Sequence, residues 1–212
     1  MWTEEKALES QIGQDDESRP HAGRPRNAEI DEQIIAAARS LLAAGGYEAL
    51  SFEAIGKQTG IGRPTIYRRW PSKAHLAAAI AYGKNGPLPR TQGGLRPQIE
   101  ALVRQVARQY SHPDIAAAAI GLINAFYNDE ALRRELHTPA ENDARRQMRE
   151  IVAAGKAEGL IVQDADADVL FDMIVGTLVF RLMFSSTERP ADHLETLVDQ
   201  LCRSLAPQPD GE

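Results

Sequence analysis

The chain has 212 residues, of which 43% are hydrophobic and 25% charged, and a formal net charge of −6. That length holds a small module plus a larger one, each able to own a core, and the composition is that of a water-soluble globular protein. The opening MWTEEKALES has no apolar h-region and no run of about 18 apolar residues exists to span a bilayer, so secretion and membrane insertion are excluded and a cytoplasmic protein is expected.

The charge is unevenly spread. Residues 1–18 hold one base and six acids, residues 19–75 nine bases and five acids, and the remaining residues 14 bases and 19 acids. One basic segment therefore sits inside an acidic protein, as expected if nucleic acid meets a single surface. Alanine and leucine dominate, aromatic residues make up 6%, and no alternating β-branched run appears, so the fold class expected is all-α. The single Cys202 forms no internal disulfide and no multi-cysteine zinc site; it behaves as a small hydrophobe on a helix face.

In chain order, residues 1–22 are polar and aperiodic and are expected to be a disordered tail. A helix is predicted from Ala28 to Ala44, with Ile30, Ile34, Ile35, Ala38, Leu41 and Leu42 on one stripe, stopped by Gly45-Gly46. Ser51 is a candidate N-cap for a short helix that turns Phe52 and Ile55 inward and ends near Thr59-Gly60. After Gly60-Ile61-Gly62 a third helix begins, because Pro64 suits a first turn where its missing N–H is no loss. Trp70-Pro71 closes it, and Ser72 caps a fourth helix with Leu76, Ala79 and Ile80. The Gly- and Pro-rich stretch 84–94 reads as a linker. Six further helices are predicted, at Leu95–Tyr110, Pro113–Tyr127, Asp129–Leu136, Pro139–Glu158, Asp166–Phe184 and Ala191–Leu205.

Two short helices joined by a Gly-containing turn and held by Ile55, Ile61 and Ile66 match a helix-turn-helix, whose second helix enters the major groove of DNA. The second helix here offers Arg63, Thr65, Tyr67, Arg68 and Arg69. Arginine hydrogen-bonds guanine in two places, whereas Thr and Tyr hydroxyls reach phosphates or single base atoms. Lys73 lies in the first turn of the next helix, whose free N–H groups already favour an anion such as phosphate.

These residues resemble the TetR/AcrR family of repressors. The resemblance is carried, in order, by Gly46-Tyr47, Ile55-Gly56, Gly60-Ile61-Gly62, Thr65-Ile66-Tyr67, Trp70 and Ser72-Lys73, and covers about residues 28–82. It implies that residues 23–83 form the DNA-binding domain, that Thr65, Tyr67 and Lys73 hold the DNA backbone, and that Trp70 fixes the angle of the last helix. It also implies that a larger helical domain, residues 95–206, binds a small-molecule effector and forms a homodimer. Two positions depart from the family pattern. Gly56 stands where alanine is usual, at a cost of about 1 kcal/mol of helix propensity, and is expected to loosen the contact between the two helices. Arg63-Pro64 replaces a small pair, so base-reading residues do not carry over. The full DNA-contacting set expected is Arg24, Arg26, Ser51, Arg63, Pro64, Thr65, Tyr67, Arg68, Arg69 and Lys73. The segment Gly23-Arg24-Pro25-Arg26 resembles an AT-hook core, which leaves open whether this arm enters a minor groove or only attracts phosphates.

From Val169 to Phe184 only Asp172 and Arg181 are charged, so this helix is expected to be buried on several sides. With its successor it is expected to form half of an intersubunit four-helix bundle through Val175, Leu178, Leu182, Leu194, Leu197 and Leu201, the alternative being one subunit's own core. Phe126, Tyr127, Met148, Phe171, Met173 and Phe180 are candidates for an effector cavity, the alternative again being plain core.

The histidines are scattered and no HExxH, Gly-x-Ser-x-Gly or Walker pattern appears, so no enzyme, no metal and no cofactor are expected. His137 and Glu141 are four apart with Pro139 between them and read as a solvated pair rather than metal ligands. The function expected is a sequence-specific regulator, a small-molecule-responsive repressor that binds a palindromic double-stranded operator as a homodimer. A helical adaptor that has lost DNA binding is the rival, and salt-dependent binding to a palindromic duplex separates the two.

Overall fold

The computed structural model describes residues 24–83, 86–184 and 190–207. The expected disordered tail, residues 1–22, lies outside them. The described residues are all-helical, in ten helices.

Helix α1 (Arg24–Ala49) begins earlier than predicted, and its regular part stops where the glycines stand: Gly45 and Gly46 leave helical geometry, Gly46 at φ 69°. Helix α2 (Phe52–Thr59) starts on Ser51, whose hydroxyl accepts from the Ala54 N–H, and ends on Gly60 in the left-handed conformation at φ 73°. Helix α3 (Arg63–Arg69) carries Pro64 in its first turn, and α4 (Lys73–Tyr82) starts on a Ser72 cap. The others are α5 (Leu95–Ser111), α6 (Pro113–Asn128), α7 (Glu130–Leu136), α8 (Thr138–Ala157), α9 (Ala167–Phe184) and α10 (Pro190–Leu205).

Two hydrophobic cores organise these helices. The first gathers Ile34, Leu42, Ile55, Ile66, Leu76 and Ile80 from α1–α4 with Leu50 from the turn between α1 and α2, and takes in Ala118, Leu122 and Phe126 from α6. The small residues of α6 let it lie close against α1 and α4. An ion pair fastens one end of this contact: the Arg39 guanidinium of α1 meets the buried carboxylate of Asp114 in the first turn of α6. The second core joins Ile99, Leu102 and Val103 of α5 to Met148, Ile151 and Val152 of α8, Ile174 of α9, and Val198 and Leu201 of α10. The stretch 86–94 is tied to this second unit, with the Leu88 N–H donating to Gln147 at 2.6 Å and the Thr91 N–H to Gln98 at 2.8 Å.

The helices α9 and α10 correct two expectations. Leu178, Leu197 and Leu201 are buried within the subunit's own core, so these three offer no face to a partner, while Leu194 packs half-buried against that core. The Leu182 side chain lies outside the described residues. α9 is also not buried all round: Leu170, Ile174 and Leu178 point inward, while Val169, Met173, Phe180 and Phe184 are 54%, 43%, 62% and 69% exposed. Uniform hydropathy along a helix does not say which side the subunit covers.

Because Leu201 is fully buried, Leu201→Ala is expected to lower the unfolding free energy by about 2–5 kcal/mol in urea denaturation. Sedimentation of the folded variant is expected to be unchanged, as befits an interior residue.

Candidate nucleic-acid interface and the cavity behind it

Local hydrogen bonds fix the turn between α2 and α3. The Thr59 hydroxyl donates to the Ile55 carbonyl at 2.8 Å and accepts from the Ile61 N–H at 3.2 Å. A Cβ added at Gly56 would stand 3.1 Å from the Ile61 carbonyl oxygen, so Gly56 admits the turn against α2. The expected loosening is corrected to a close approach.

α3 presents Ile66 to the core and leaves Arg63, Pro64, Tyr67 and Arg68 exposed, with Thr65 half-buried. The Tyr67 ring meets Phe52 edge-on at 4.7 Å, which anchors the ring. The Arg63 guanidinium lies 5.9 Å from the Tyr67 ring centroid. Arg69 turns the other way. Its guanidinium pairs with Asp31 of α1 and reaches the Thr65 carbonyl at 3.3 Å, and only 11% of the side chain is exposed. Arg69 is thus a strut between α1 and α3, which corrects its place among the DNA-contacting residues. Ser51 is exposed, with its hydroxyl occupied as a helix cap. The side chains of Arg24 and Arg26 lie outside the described residues.

Lys73 opens α4. Its ammonium sits over the Tyr47 ring at 4.1 Å from the centroid and 4.0 Å from the Glu48 carboxylate, with 31% of the side chain exposed. Trp70 packs half-buried against the first core.

The far end of α4 reaches a cavity of about 600 Å³. Its apolar wall comes from Val106, Ile120, Ile123, Phe126, Phe171 and Val175. A polar chain crosses it. The Tyr82 hydroxyl lies 3.0 Å from His137 Nδ1, and His137 Nε2 lies 3.4 Å from Glu141. Glu141 in turn accepts from Arg145 at 2.9 Å, and Arg145 donates to Asp172 at 2.6 Å while stacking on Phe171 at 4.5 Å. Burial is the main cause that pulls the His137 pKa below the ordinary imidazole value, with Arg133 and Arg145 adding to it against Glu141. The ring is therefore neutral at neutral pH, which assigns Nδ1 as acceptor from Tyr82 and leaves the Nε2 proton facing Glu141. Burial likewise raises the Tyr82 and Tyr110 phenols above their usual value, so both stay protonated.

Of the six cavity candidates, Phe126 and Phe171 line it. Met148 is buried in the second core, and Tyr127, Met173 and Phe180 face outward, so those four are corrected. Val175, expected at a dimer interface, lines the cavity instead. The spacing of His137 and Glu141 was the signal for the polar chain, but sequence reading placed the pair in solvent. Among the described residues no group of three metal-ligating side chains converges, and no helix is long and apolar enough to cross a membrane.

Residues 34–80 match the family model for bacterial regulatory proteins of the tetR family, and residues 89–201 match the tetracyclin repressor-like C-terminal domain. The chain belongs to the TetR family of transcriptional regulators. It is 28% identical over 184 residues to an uncharacterised HTH-type transcriptional regulator of Mycobacterium tuberculosis, covering 86% of this chain and 88% of that one. It is 26% identical over 179 residues to the uncharacterised HTH-type regulator YdeS of Bacillus subtilis, covering 83% and 89%. Among solved structures, Salmonella enterica GusR superposes with a TM-score of 0.66 at 21% identity, over 87% of this chain and 98% of that one. NalD of Pseudomonas aeruginosa, described as a secondary repressor of a multidrug efflux pump, gives 0.66 at 18%, over 86% and 100%. These two share the fold. This TetR-family member is thus an all-helical, DNA-binding regulator with a helix-turn-helix at α2–α3 and a larger helical C-terminal domain.

A neutral, half-buried imidazole whose pKa is lowered contributes stability that is present above the ordinary imidazole pKa and lost as the pH falls below it, because the unfolded chain takes up the proton more readily. The unfolding free energy of the wild type is therefore expected to fall as the pH is lowered from about 7.5 to 5.5. In His137→Gln the same descent in urea denaturation is expected to be shallower; equal slopes would mean that the ring charges freely in the fold.

Proposed function

We propose that this regulator is a repressor that binds an inverted-repeat operator as a homodimer and releases it when a small molecule fills the cavity. The observation that carries the reading is the span of α4, which follows the reading helix α3 with Lys73 in its first turn and ends with Tyr82 in the cavity wall. A ligand there touches the element that positions the reading head, and by linkage DNA must weaken the ligand's binding by the same factor as the ligand weakens DNA. The volume and the mostly apolar wall suit a compact apolar molecule with a few hydrogen-bonding groups. Selection of random duplexes by the purified protein, repeated with candidate small molecules, tests the reading. Recovery of inverted repeats, lost on addition of a ligand, is expected; recovery of no preferred duplex would sink it.

On the DNA side, the reading residue is Arg63, with Thr65, Tyr67, Arg68 and Lys73 on the backbone. Arg63 is at the N-terminal end of α3, exposed, and its planar fork suits guanine. Arg63→Ala is expected to cost about 1–3 kcal/mol at one base position per half-site and much less against scrambled duplex. Lys73→Ala is expected to weaken all duplexes alike and to flatten the salt dependence by about one counterion. Uniform weakening by Arg63→Ala would assign that arginine to phosphate.

For the dimer, the exposed apolar face of α9 supports an interface. Val169, Met173, Phe180 and Phe184 recur at helical spacing, Phe180 and Phe184 lie 5.2 Å apart, and Gly176, between Met173 and Phe180, is exposed and allows a facing helix to come close. The double variant Met173→Lys with Phe180→Lys is expected to sediment as a folded monomer and to lose most operator affinity. A persistent dimer would place the interface on another surface.

A further inference from the structure

The ring of Tyr47, which carries Lys73 on one side, rests on a glycine of α6. A Cβ built at Gly121 would stand 2.0 Å from Tyr47 Cγ and 2.1 and 2.5 Å from the two Cδ atoms, distances that no side chain occupies. Gly121 is buried, and its neighbours Ile120 and Ile123 line the cavity. The Lys73 ammonium lies 4.1 Å from the Tyr47 ring centroid, and the other charged group near it is the exposed Glu48 carboxylate at 4.0 Å.

We propose that Tyr47 is a positioning residue for Lys73 and that Gly121 is the socket that sets its ring, so that α6 controls the grip on the DNA backbone. The inference rests on the reading of Lys73 as a phosphate contact. A cation over a ring face is held by the ring's negative quadrupole, which limits where the ammonium sits beside Glu48. The ring is itself held by the absence of a side chain at residue 121, since any atom there forces it off its seat. A small displacement of α6 at Ile120 or Ile123 therefore moves the ring, and the ammonium with it. This path runs through α1 and α6, separate from the one in which Tyr82 of α4 meets the cavity directly.

The test measures affinity for a duplex recovered by selection and for a scrambled duplex, each at several salt concentrations. The variants are Tyr47→Phe, Tyr47→Leu, Gly121→Ala, Lys73→Ala and the double variant of the last two. Tyr47→Phe keeps the ring and is expected to bind both duplexes within about twofold of the wild type. Tyr47→Leu, which adds no bulk, and Gly121→Ala, which favours the helix, are each expected to weaken both duplexes about as much as Lys73→Ala does and to lower the salt slope by about one. In the double variant, Gly121→Ala is expected to add less than about twofold to the loss caused by Lys73→Ala. Additive losses in the double variant, or an unchanged salt slope in Tyr47→Leu, would overturn the relay while leaving Lys73 a phosphate contact. No loss in Lys73→Ala alone would overturn the underlying reading and the relay with it.

Discussion

The burial of α6 in the core of the DNA-reading unit is the constraint on which the rest of the molecule depends. Ala118, Leu122 and Phe126 share one core with Ile34, Ile55, Ile66 and Leu76, and Asp114 is the buried charge among the described residues, matched by Arg39. Removing one partner of such a pair leaves a desolvated charge behind, which costs more than the intact pair gains. The reading head is thus fastened to α6 at one end by an ion pair and along its length by close contact of small side chains. It is not tethered only through the stretch between α4 and α5. The same helix turns Ile120 and Ile123 toward the cavity, so one element belongs to both the grip and the pocket.

Close packing makes such a shared element effective. A packed interior has few free positions, so displacement of α6 is passed to its contacts and not absorbed in voids. The polar chain from Tyr82 to Asp172 works in the same direction, because each member is paired with the next along the cavity wall. Under the proposed function, a ligand would replace those hydrogen bonds or leave them intact, and the choice between the two would set its specificity.

Much of this was legible before any coordinates. Ser51, Ser72, Gly60 and Pro64 carry backbone chemistry that admits few alternatives, and each stands where its capping or turn role requires. Arg69 was not legible, because basic residues on a seven-residue helix look alike until Asp31 of α1 is known to lie beneath one of them. Leu197 and Leu201 were misread because an amphipathic stripe says that a face is covered, not by what. The exposed face of α9 was hidden for the opposite reason, its hydropathy being nearly uniform around the helix. Gly56 looks like a weak point in a helix until the Ile61 carbonyl is found against it, and nothing local singles out Gly121 until the Tyr47 ring is found there. Contacts between residues about 70 apart in the chain, such as Tyr47 with Gly121, carry no local periodic signal.

The claim that cavity and reading head move as one is tested most directly by filling the cavity without touching the first core. Val175 lines it from α9, a helix with no residue in that core among those described. The measurement is the operator affinity of Val175→Trp, with its helicity and sedimentation matched to the wild type. The account predicts a loss of about tenfold or more, about 1.4 kcal/mol per decade, with an unaltered DNA-contacting surface. An affinity equal to that of the wild type, with the indole shown to occupy the cavity, would contradict it.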